Sequence, residues 1–231
     1  MQEPSVWKPP ELRPTNEHVR YVCVTGNSGT GKSTLVSRFA EDLFPGLPVI
    51  GIDERTTHHP YLDLLFHRPD EYALEMQLNF MLQRILIARR WLAGGFNVIM
   101  ERSHLDDPVF IEFLHRKGLV NDHQRSVYQQ LWEILNERTP SPDALVILQA
   151  SPEASVSRVT SAEEEGIRPK EFTSLQHKVD WITGWADLYA ERAAYLTTDD
   201  RYREISQIFS EDSSYEEIRD FVVSKISRPK S

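Results

Sequence analysis

The chain has 231 residues, of which 40% are hydrophobic and 26% are charged, and its formal net charge is −9. Its length and composition are typical of one globular domain, and no run of about 20 apolar residues is present to span a membrane. Because a net negative charge repels phosphate backbones, we expect no nucleic-acid polymer and no membrane as partner.

The N-terminal residues 1–19 contain prolines at positions 4, 9, 10 and 14 among polar residues, which disfavour both helix and strand. We expect a flexible extension there, followed by a single domain over residues 20–228. Short apolar runs alternate with helical patterns along this domain, which predicts a parallel sheet covered by helices on both faces. The strands are predicted at 21–25, 49–52, 96–100, 144–148 and 205–209, and the helices at 33–43, 70–92, 107–116, 123–137, 152–163, 173–195 and 214–226.

The first strand contains the only cysteine of the sequence, Cys23, which therefore has no partner for an internal disulfide. The N-terminal residues lack the apolar core of a secretory signal and the acid-free character of a transit peptide. These features favour a reducing cytoplasm and a buried, structural thiol at Cys23.

The turn after the first strand reads Gly-Asn-Ser-Gly-Thr-Gly-Lys-Ser and fits the phosphate-binding pattern G-x-x-x-x-G-K-[ST]. In such a phosphate-binding loop (P-loop), backbone N–H groups surround phosphate oxygens, Lys32 adds a positive charge, and the Ser33 hydroxyl can ligate Mg²⁺. The expected ATP-binding residues are Gly26, Asn27, Ser28, Gly29, Thr30, Gly31, Lys32, Ser33 and Thr34.

Two classes of P-loop protein are disfavoured by the rest of the sequence. A switch GTPase has an Asp-x-x-Gly motif after a strand and an Asn-Lys-x-Asp motif for guanine, and neither is found in this sequence. Residues 49–54 imitate the apolar strand ending in Asp-Glu of a remodelling ATPase, but this strand follows the P-loop helix too closely. We keep an ATPase as an alternative interpretation.

The predicted helix 70–92 carries Gln77, Phe80, Met81 and Arg84 at spacings i, i+3, i+4 and i+7, so that they share one face. An amide pairs with a base edge through a donor and an acceptor, and a guanidinium offers a rigid fork to acceptor atoms. The stripe therefore predicts a nucleobase-reading face, and the alternative is a helix rim with partly solvated side chains.

Charged residues follow two of the predicted strands. Glu101 and Arg102 come directly after the third strand, Asp107 is close behind them, and Glu54 follows the second strand. Open α/β folds bind ligands at this carboxyl edge of the sheet. A glutamate there can hold Mg²⁺, an arginine can bind a phosphate, and Glu54 could take a proton from a hydroxyl. The alternative for each is a solvated strand end.

Together these segments resemble the deoxynucleoside kinase family over roughly residues 20–225. The matching markers are the P-loop, Glu54, His59-Pro60-Tyr61-Leu62, Tyr72-Ala73 with Gln77 and Arg84, Glu101-Arg102-Ser103 with Asp107, and the stretch from Leu148 to Glu153 before a lid at about 158–170. The resemblance implies a three-layer P-loop kinase fold with a five-stranded parallel sheet in the order 2-3-1-4-5. It also implies a homodimer; the apolar side of helix 123–137 belongs either to the core or to the dimer surface.

The same resemblance implies that the protein transfers the γ-phosphate of ATP to the 5′-hydroxyl of a deoxynucleoside. Glu54 would accept the hydroxyl proton, and Arg102 would orient Glu54 and the transferring phosphate. The remaining roles are Mg²⁺ binding by Ser33 and Glu101, base contacts by Gln77, Arg84 and Asp107, and help to the phosphate from the lid residue Arg158. In the family, an Arg and Asp pair accompanies deoxyadenosine, deoxyguanosine or deoxycytidine, and we expect one of these acceptors.

The sequence departs from the family pattern in the lid and at the sugar. Arg158 is present, but the later lid arginines are missing, so that either Arg168 replaces them or transfer is slow. Glu164 matches a lid acid that contacts the 3′-hydroxyl. Phe66 occupies a position where the family commonly has a tyrosine for that hydroxyl, so that recognition there is either relaxed or supplied by His67 or Glu164.

Two rival functions remain open. A nucleoside monophosphate kinase would need extra arginines around the acceptor phosphate, and Arg55, Arg84 and Arg102 are available for that role. A nucleotide-binding regulator or ATPase without transfer activity would explain the shortened lid.

Overall fold

The computed structural model describes residues 19–54, 64, 67–170, 172 and 174–228. The expected extension over 1–19 lies outside these residues except for Val19, which is buried in the larger core cluster. Arg55, Phe66 and the residues 59–62 also lie outside the described part of the chain.

The described part folds as alternating strands and helices. The strands are β1 (Tyr21–Gly26), β2 (Val49–Ile52), β3 (Asn97–Glu101), β4 (Ala144–Leu148) and β5 (Ser206–Phe209). The helices are α1 (Lys32–Asp42), α2 (Pro69–Ala93), α3 (Asp107–Arg116), α4 (Asp122–Asn136), α5 (Pro152–Glu164), α6 (Leu175–Thr198) and α7 (Tyr215–Ile226). These bounds agree with the predicted elements to within a few residues.

The described strands form one five-stranded sheet in the order β2-β3-β1-β4-β5, with every pair parallel. This confirms the predicted fold class and strand order. Because all strands run in one direction, their carboxyl ends meet at one edge, where Gly26 lies opposite Leu148 and Val24 lies opposite Glu101. The P-loop and the charged residues after β2 and β3 therefore come to the same edge.

Successive residues of β1 face opposite sides of the sheet, because side chains alternate along a strand. Tyr21 and Cys23 belong to the larger core cluster, which contains residues of α2, α3, α4 and α6, and Val22 and Val24 belong to the smaller cluster with α1 and α7. Both faces are thus covered, which explains the continuous apolar run. No helix among the residues described above is both long and apolar enough to cross a membrane.

Side-chain caps set the starts of several helices. Ser151 and Ser174 accept hydrogen bonds from the backbone N–H groups three residues later and begin α5 and α6. Asn121 and Gln124 form a reciprocal capping box at the start of α4. The cap at Ser174 explains why α6 begins two residues later than the predicted segment.

Candidate active site

The P-loop connects β1 to α1 and is held by the side chain of Asn27. The Asn27 amide donates a hydrogen bond to the carbonyl of Ile182 in α6 at 2.8 Å, and Lys32 Nζ donates to the Asn27 carbonyl at 2.7 Å. Thr30 Oγ1 donates to the same carbonyl at 3.0 Å. The loop is therefore held by α6 and by its own side chains.

Gly29 is required in this loop for two reasons. Its φ is +76°, and a Cβ on it would lie 2.5 Å from the carbonyl oxygen of Ser155 in α5. We expect Gly29→Ala to weaken ATP binding at least tenfold, because the loop must move away from α5, and a shift of about 1 Å in a binding group has effects of this size or more. Calorimetric titration with ATP measures the loss.

Gly118 provides the matched control, because its φ is +74° and nothing lies within 4 Å of its Cβ position. Gly118→Ala therefore carries the same backbone penalty of about 1–2 kcal/mol without the clash. We expect unchanged ATP affinity in this variant. Equal ATP affinities in the two variants would contradict a steric requirement for glycine at position 29.

Ser33 and Glu101 meet at the floor of the site. Ser33 Oγ donates a hydrogen bond to Glu101 Oε2 at 2.7 Å, and Lys32 Nζ lies 3.6 Å from the other carboxylate oxygen. A hydroxyl and a carboxylate beside the phosphate cradle are hard oxygen donors of the kind that Mg²⁺ prefers, usually in combination with substrate phosphates. This donor set fits the expected magnesium.

Glu54 lies between two arginines in the site. Its carboxylate accepts a hydrogen bond from Arg102, and Arg84 NH2 lies 3.8 Å from the same oxygen. Burial alone would raise the pKa of Glu54, but Arg102, with help from Lys32 and Arg84, lowers it to about 2. Glu54 is therefore ionised at neutral pH and able to accept a proton.

The charge on Lys32 changes with pH near pH 8. Burial, reinforced by Arg102, lowers the pKa of Lys32 to about 8. In the free protein, Lys32 therefore loses its proton as the pH rises above about 8, whereas bound phosphate stabilises the charged form. We expect the affinity for ATP to fall by up to about tenfold per pH unit above that point, because binding must first restore the proton.

This expectation is checked by measuring the dissociation constant of ATP between about pH 7.5 and 9.5, where the terminal phosphate is already ionised. Lys32→Arg serves as the control, because a guanidinium keeps its charge over this range and its affinity should not vary with pH. A dissociation constant of the unmodified protein that is flat over this range would contradict the assignment.

The far end of the site contains a buried ion pair. Arg84 NH1 donates to Asp107 Oδ1, and both side chains are almost fully inaccessible to solvent. Burial raises the pKa of Asp107 to about 7, although Arg84 opposes this shift. Asp107 Oδ2 and the Gln77 side-chain oxygen are buried without a hydrogen-bond partner in the described part. Of the two, Gln77 lines the cavity, where its oxygen could accept from a base amino group.

A cavity of about 550 Å³ joins these parts. Its lining contains the sequence-predicted residues Ser28, Gly29, Gly31, Lys32, Ser33, Thr34, Glu54, Gln77, Arg84, Glu101, Arg102 and Arg158. Asp107 is not part of this lining and is buried next to Arg84. Asn27 and Thr30 support the loop through the contacts described above rather than lining the cavity. A volume of this size is typical of a small-molecule site.

The lid region contributes two arginines to the cavity, Arg158 and Arg168. Arg158 NH1 lies 3.4 Å from the Gly29 carbonyl oxygen and connects α5 to the P-loop. Glu164, at the end of α5, is exposed and is not among the cavity-lining residues, so that the structure does not bring it to the site. The neighbouring Glu163 instead accepts a hydrogen bond from Lys178 Nζ of α6 at 2.6 Å.

Sequence reasoning missed Asp106, which is buried at the turn after β3. Asp106 accepts a hydrogen bond from the Thr25 hydroxyl at the end of β1, and another from the Ser103 backbone N–H at 2.9 Å. This turn begins with Arg102 at φ +55°, which is uncommon for a residue other than glycine. Asp106 thus stabilises a strained turn that carries two predicted site residues. The position of Asp106 directly beside Asp107 in the sequence could have identified it.

The sequence pattern also gave no role to several aromatic side chains that line the same cavity. They are Phe110, Phe113, Phe172, Trp181 and Trp185. Trp181 and Trp185 are four residues apart, which places them on one face of α6. That spacing could have identified the face of α6 that meets the site.

A P-loop, a magnesium-type donor pair and an ionised carboxylate between arginines share one cavity at the carboxyl edge of a parallel sheet. Fold and site together define a P-loop nucleotide-binding protein of the kinase type. The profile of the family described as deoxynucleoside kinase matches residues 22–200. The chain belongs to the deoxynucleoside kinase family, which confirms the predicted family.

Several proteins similar to this chain are named as deoxynucleoside kinases. The chain is 27% identical over 141 residues to a deoxyadenosine kinase of Dictyostelium discoideum, covering 60% of this chain and 55% of the relative. It is 25% identical over 174 residues to a deoxyadenosine/deoxycytidine kinase of Bacillus subtilis, covering 71% and 77%. Human mitochondrial thymidine kinase 2 is 26% identical over 182 residues, covering 75% and 68%.

Among solved structures, the deoxyadenosine kinase of M. mycoides with bound dATP superposes with a TM-score of 0.67 at 16% identity. The match covers 90% of this chain and 99% of that one. At this level of identity the superposition supports the fold, and it agrees with the predicted three-layer arrangement.

Proposed function

We propose that the protein transfers the γ-phosphate of ATP to the 5′-hydroxyl of a deoxynucleoside. The observation that carries this proposal is the position of Glu54. This carboxylate is ionised, is held by Arg102, and lines the same cavity as Lys32 of the P-loop. An acceptor hydroxyl placed at Glu54 would face a phosphate placed in the P-loop, which is the arrangement that in-line phosphoryl transfer requires.

In the proposed reaction, Glu54 accepts the proton of the 5′-hydroxyl as the oxygen attacks the γ-phosphorus. Arg102 holds Glu54 and donates to the transferring phosphate, while Lys32 and the P-loop N–H groups bind the phosphates of the donor. Arg158 and Arg168 lie on the lid side of the cavity and supply the cationic help that the missing lid arginines would otherwise give.

Magnesium is part of this proposal, with Ser33 and Glu101 as its protein ligands. When bound, it would neutralise charge on the donor phosphates and fix their orientation. The protein residues alone position Glu101, because Ser33 and Lys32 both contact its carboxylate.

For the acceptor base we propose deoxyadenosine, deoxyguanosine or deoxycytidine rather than thymidine. Arg84 lines the cavity and is held from behind by the buried Asp107, and Gln77 lines the cavity with its side-chain oxygen unpartnered within the described residues. The names of the Dictyostelium and Bacillus relatives agree with this class of substrate, whereas the human relative is named a thymidine kinase. Contact of Glu164 with the sugar 3′-hydroxyl stays a prediction that requires the end of α5 to move.

The experiment that tests the proposal incubates the protein with γ-labelled ATP and Mg²⁺ against four deoxynucleosides and their monophosphates. We expect label on deoxyadenosine, deoxyguanosine or deoxycytidine, and little on thymidine. Label only on monophosphates would identify a nucleoside monophosphate kinase instead. ATP binding without any transfer would favour a regulator that has lost the reaction.

We also propose that the protein forms a homodimer through the neighbouring helices α2 and α4. Leu86 of α2 and Ile134 of α4 are 62% and 57% exposed, and Leu82 and Val127 add two more exposed apolar side chains on the same helices. Such clustered apolar side chains on a surface often mark an interface between subunits.

We expect Leu86→Glu to convert a dimer into a monomer, because a buried, unpaired carboxylate in the interface is costly. Sedimentation velocity measures the change, and Leu175→Glu, which alters an equally exposed leucine on α6, is the control. A monomeric parent protein at micromolar concentration, or a dimer that survives the change, would contradict the proposed interface.

A cytoplasmic location also remains a proposal. It is supported by Cys23, which is a free thiol buried in the central strand. A protein with one buried thiol gains nothing from an oxidising compartment, where structural disulfides are formed.

A further inference from the structure

We infer that three aromatic side chains, Phe110 of α3 and Trp185 and Tyr189 of α6, are positioning residues that hold the Arg102 guanidinium for phosphoryl transfer. The Arg102 Cζ atom lies 5.2 Å from the ring centroid of Phe110, 5.4 Å from that of Trp185 and 5.9 Å from that of Tyr189. We call these three rings the aromatic box. The inference rests on the role of Arg102 in the proposed function.

The aromatic box explains how the Arg102 cation can be buried with few hydrogen-bond acceptors. Arg102 is 2% exposed, and its cation would normally need several acceptors to be buried. Glu54 accepts from NH1, whereas Nε and NH2 have no hydrogen-bond partner in the described part of the chain. Ring faces attract a guanidinium electrostatically without accepting its conventional hydrogen bonds. The box therefore holds the cation without using up the two nitrogens, which have no protein acceptor among the described residues.

The rings also pack against one another, which keeps the box rigid. The centroids of Phe110 and Trp185 are 5.1 Å apart at an interplanar angle of 68°, and Phe110 and Tyr189 are 6.5 Å apart at 85°. These are edge-to-face arrangements, which aromatic pairs prefer. A guanidinium enclosed by mutually supported rings has little freedom to rotate away from Glu54.

Helix α6 is tied to the site on both sides of the two box residues that it carries. Before them, the Ile182 carbonyl accepts from Asn27 of the P-loop at 2.8 Å. After them, Arg192 Nε donates to the carbonyl of Leu105, in the turn that follows Arg102, at 2.8 Å. The positions of Trp185 and Tyr189 are thus fixed relative to both the phosphate cradle and the strained backbone of Arg102.

The test is a double-mutant cycle on kcat that combines Trp185→Leu with Arg102→Ala. We expect Trp185→Leu alone to lower kcat about 30- to 100-fold, because a small displacement of a positioned group is costly, while the KM for ATP changes less than about threefold. With Arg102 already replaced, Trp185→Leu should have an effect of less than about twofold, because both changes remove one interaction. Trp185→Phe keeps a ring and should recover most of the lost kcat.

Trp91→Leu is the control for loss of a tryptophan. Trp91 lies near the end of α2, packs against Phe96, and is not among the residues that line the cavity. Its kcat should stay near that of the parent protein. All rates are compared at a temperature at which circular dichroism shows each variant to be folded. If Trp185→Leu does not fold, Tyr189→Leu replaces it in the same cycle.

A spectroscopic measurement on the parent protein tests the box independently of activity. Protons above aromatic faces shift upfield, so the Nε–H resonance of Arg102 in the parent protein should lie upfield of those of exposed arginines. Its absence in Arg102→Lys assigns the signal. A resonance at the position of exposed arginines would overturn the inference.

The outcomes separate the inference from the proposed function. If Arg102→Ala transfers phosphate at the parent rate, the proposed role of Arg102 is wrong. If Arg102→Ala is inactive but Trp185→Leu is as active as the parent protein, the aromatic box is wrong and the proposed function stands. Equal effects of Trp185→Leu with and without Arg102 would likewise overturn the box, because Trp185 would then act on another group.

Discussion

Replacing Glu54 by glutamine is expected to lower kcat about 10³-fold, within the usual range for loss of a general base. The amide has the same shape as the carboxylate, but it cannot accept a proton, and it removes the negative charge that Arg102 and Arg84 share. The affinity for ATP should change less than about threefold, because Lys32 and the P-loop remain in place. Steady-state kinetics with the preferred deoxynucleoside and a separate ATP titration measure the two quantities.

Glu71→Gln is the matched control for this change. Glu71 is an exposed residue in the first turn of α2 whose carboxylate pairs with Arg68. Its loss should leave kcat unchanged, because exposed ion pairs contribute little. A kcat of Glu54→Gln within tenfold of the parent value would show that another group accepts the proton, and would remove the observation on which the proposed function depends.

Replacing Arg84 by methionine is expected to lower the free energy of unfolding by about 1–2 kcal/mol at pH 8, because Asp107 loses its cationic partner and must take up a proton to remain buried. Asp107 is fully inaccessible to solvent and pairs with Arg84. Chemical denaturation of the variant and the parent protein measures the difference.

The loss of unfolding free energy in Arg84→Met should become smaller as the pH falls. The pKa of Asp107 is already raised by burial to about 7, and it rises further once Arg84 is removed. When the pKa of a carboxyl group is higher in the folded than in the unfolded state, the free energy of unfolding falls as the pH rises from the unfolded pKa, about 3.9, to the folded pKa. Above the folded pKa it stays constant. The variant and the parent protein should therefore differ less at pH 5, where the buried carboxyl is protonated in both, than at pH 8, where it is ionised in the parent protein only.

The double variant Arg84→Met with Asp107→Leu is the control, because it replaces the whole pair by apolar side chains of similar size. We expect most of the lost stability to return, since buried ion pairs can often be replaced in this way. A double variant as unstable as Arg84→Met alone would show that Arg84 stabilises the fold through contacts other than Asp107, such as its position over the rings of Phe80 and Phe110.

The sequence by itself determined the fold class, the strand order through its family resemblance, and the identity of the charged and polar residues that line the cavity. The reason is that these features have short-range signals. A glycine-rich turn between a strand and a helix predicts a phosphate cradle. Residues directly after parallel strands must lie at the same edge of the sheet. Gln77 and Arg84 were found because helical periodicity places them on one face.

Only the tertiary structure decided how these residues support one another. The contacts of Asp106 and of the aromatic box join residues that are far apart in the sequence. Thr25 donates a hydrogen bond to Asp106, and Trp185 packs against Arg102. Local periodicity carries no information on such pairs, since they depend on how helices pack against the sheet. For the same reason the sequence could not show that Glu164 is exposed while Glu163 is bound by Lys178. The order of residues along the chain specifies the chemistry of the site, and helix packing specifies its geometry.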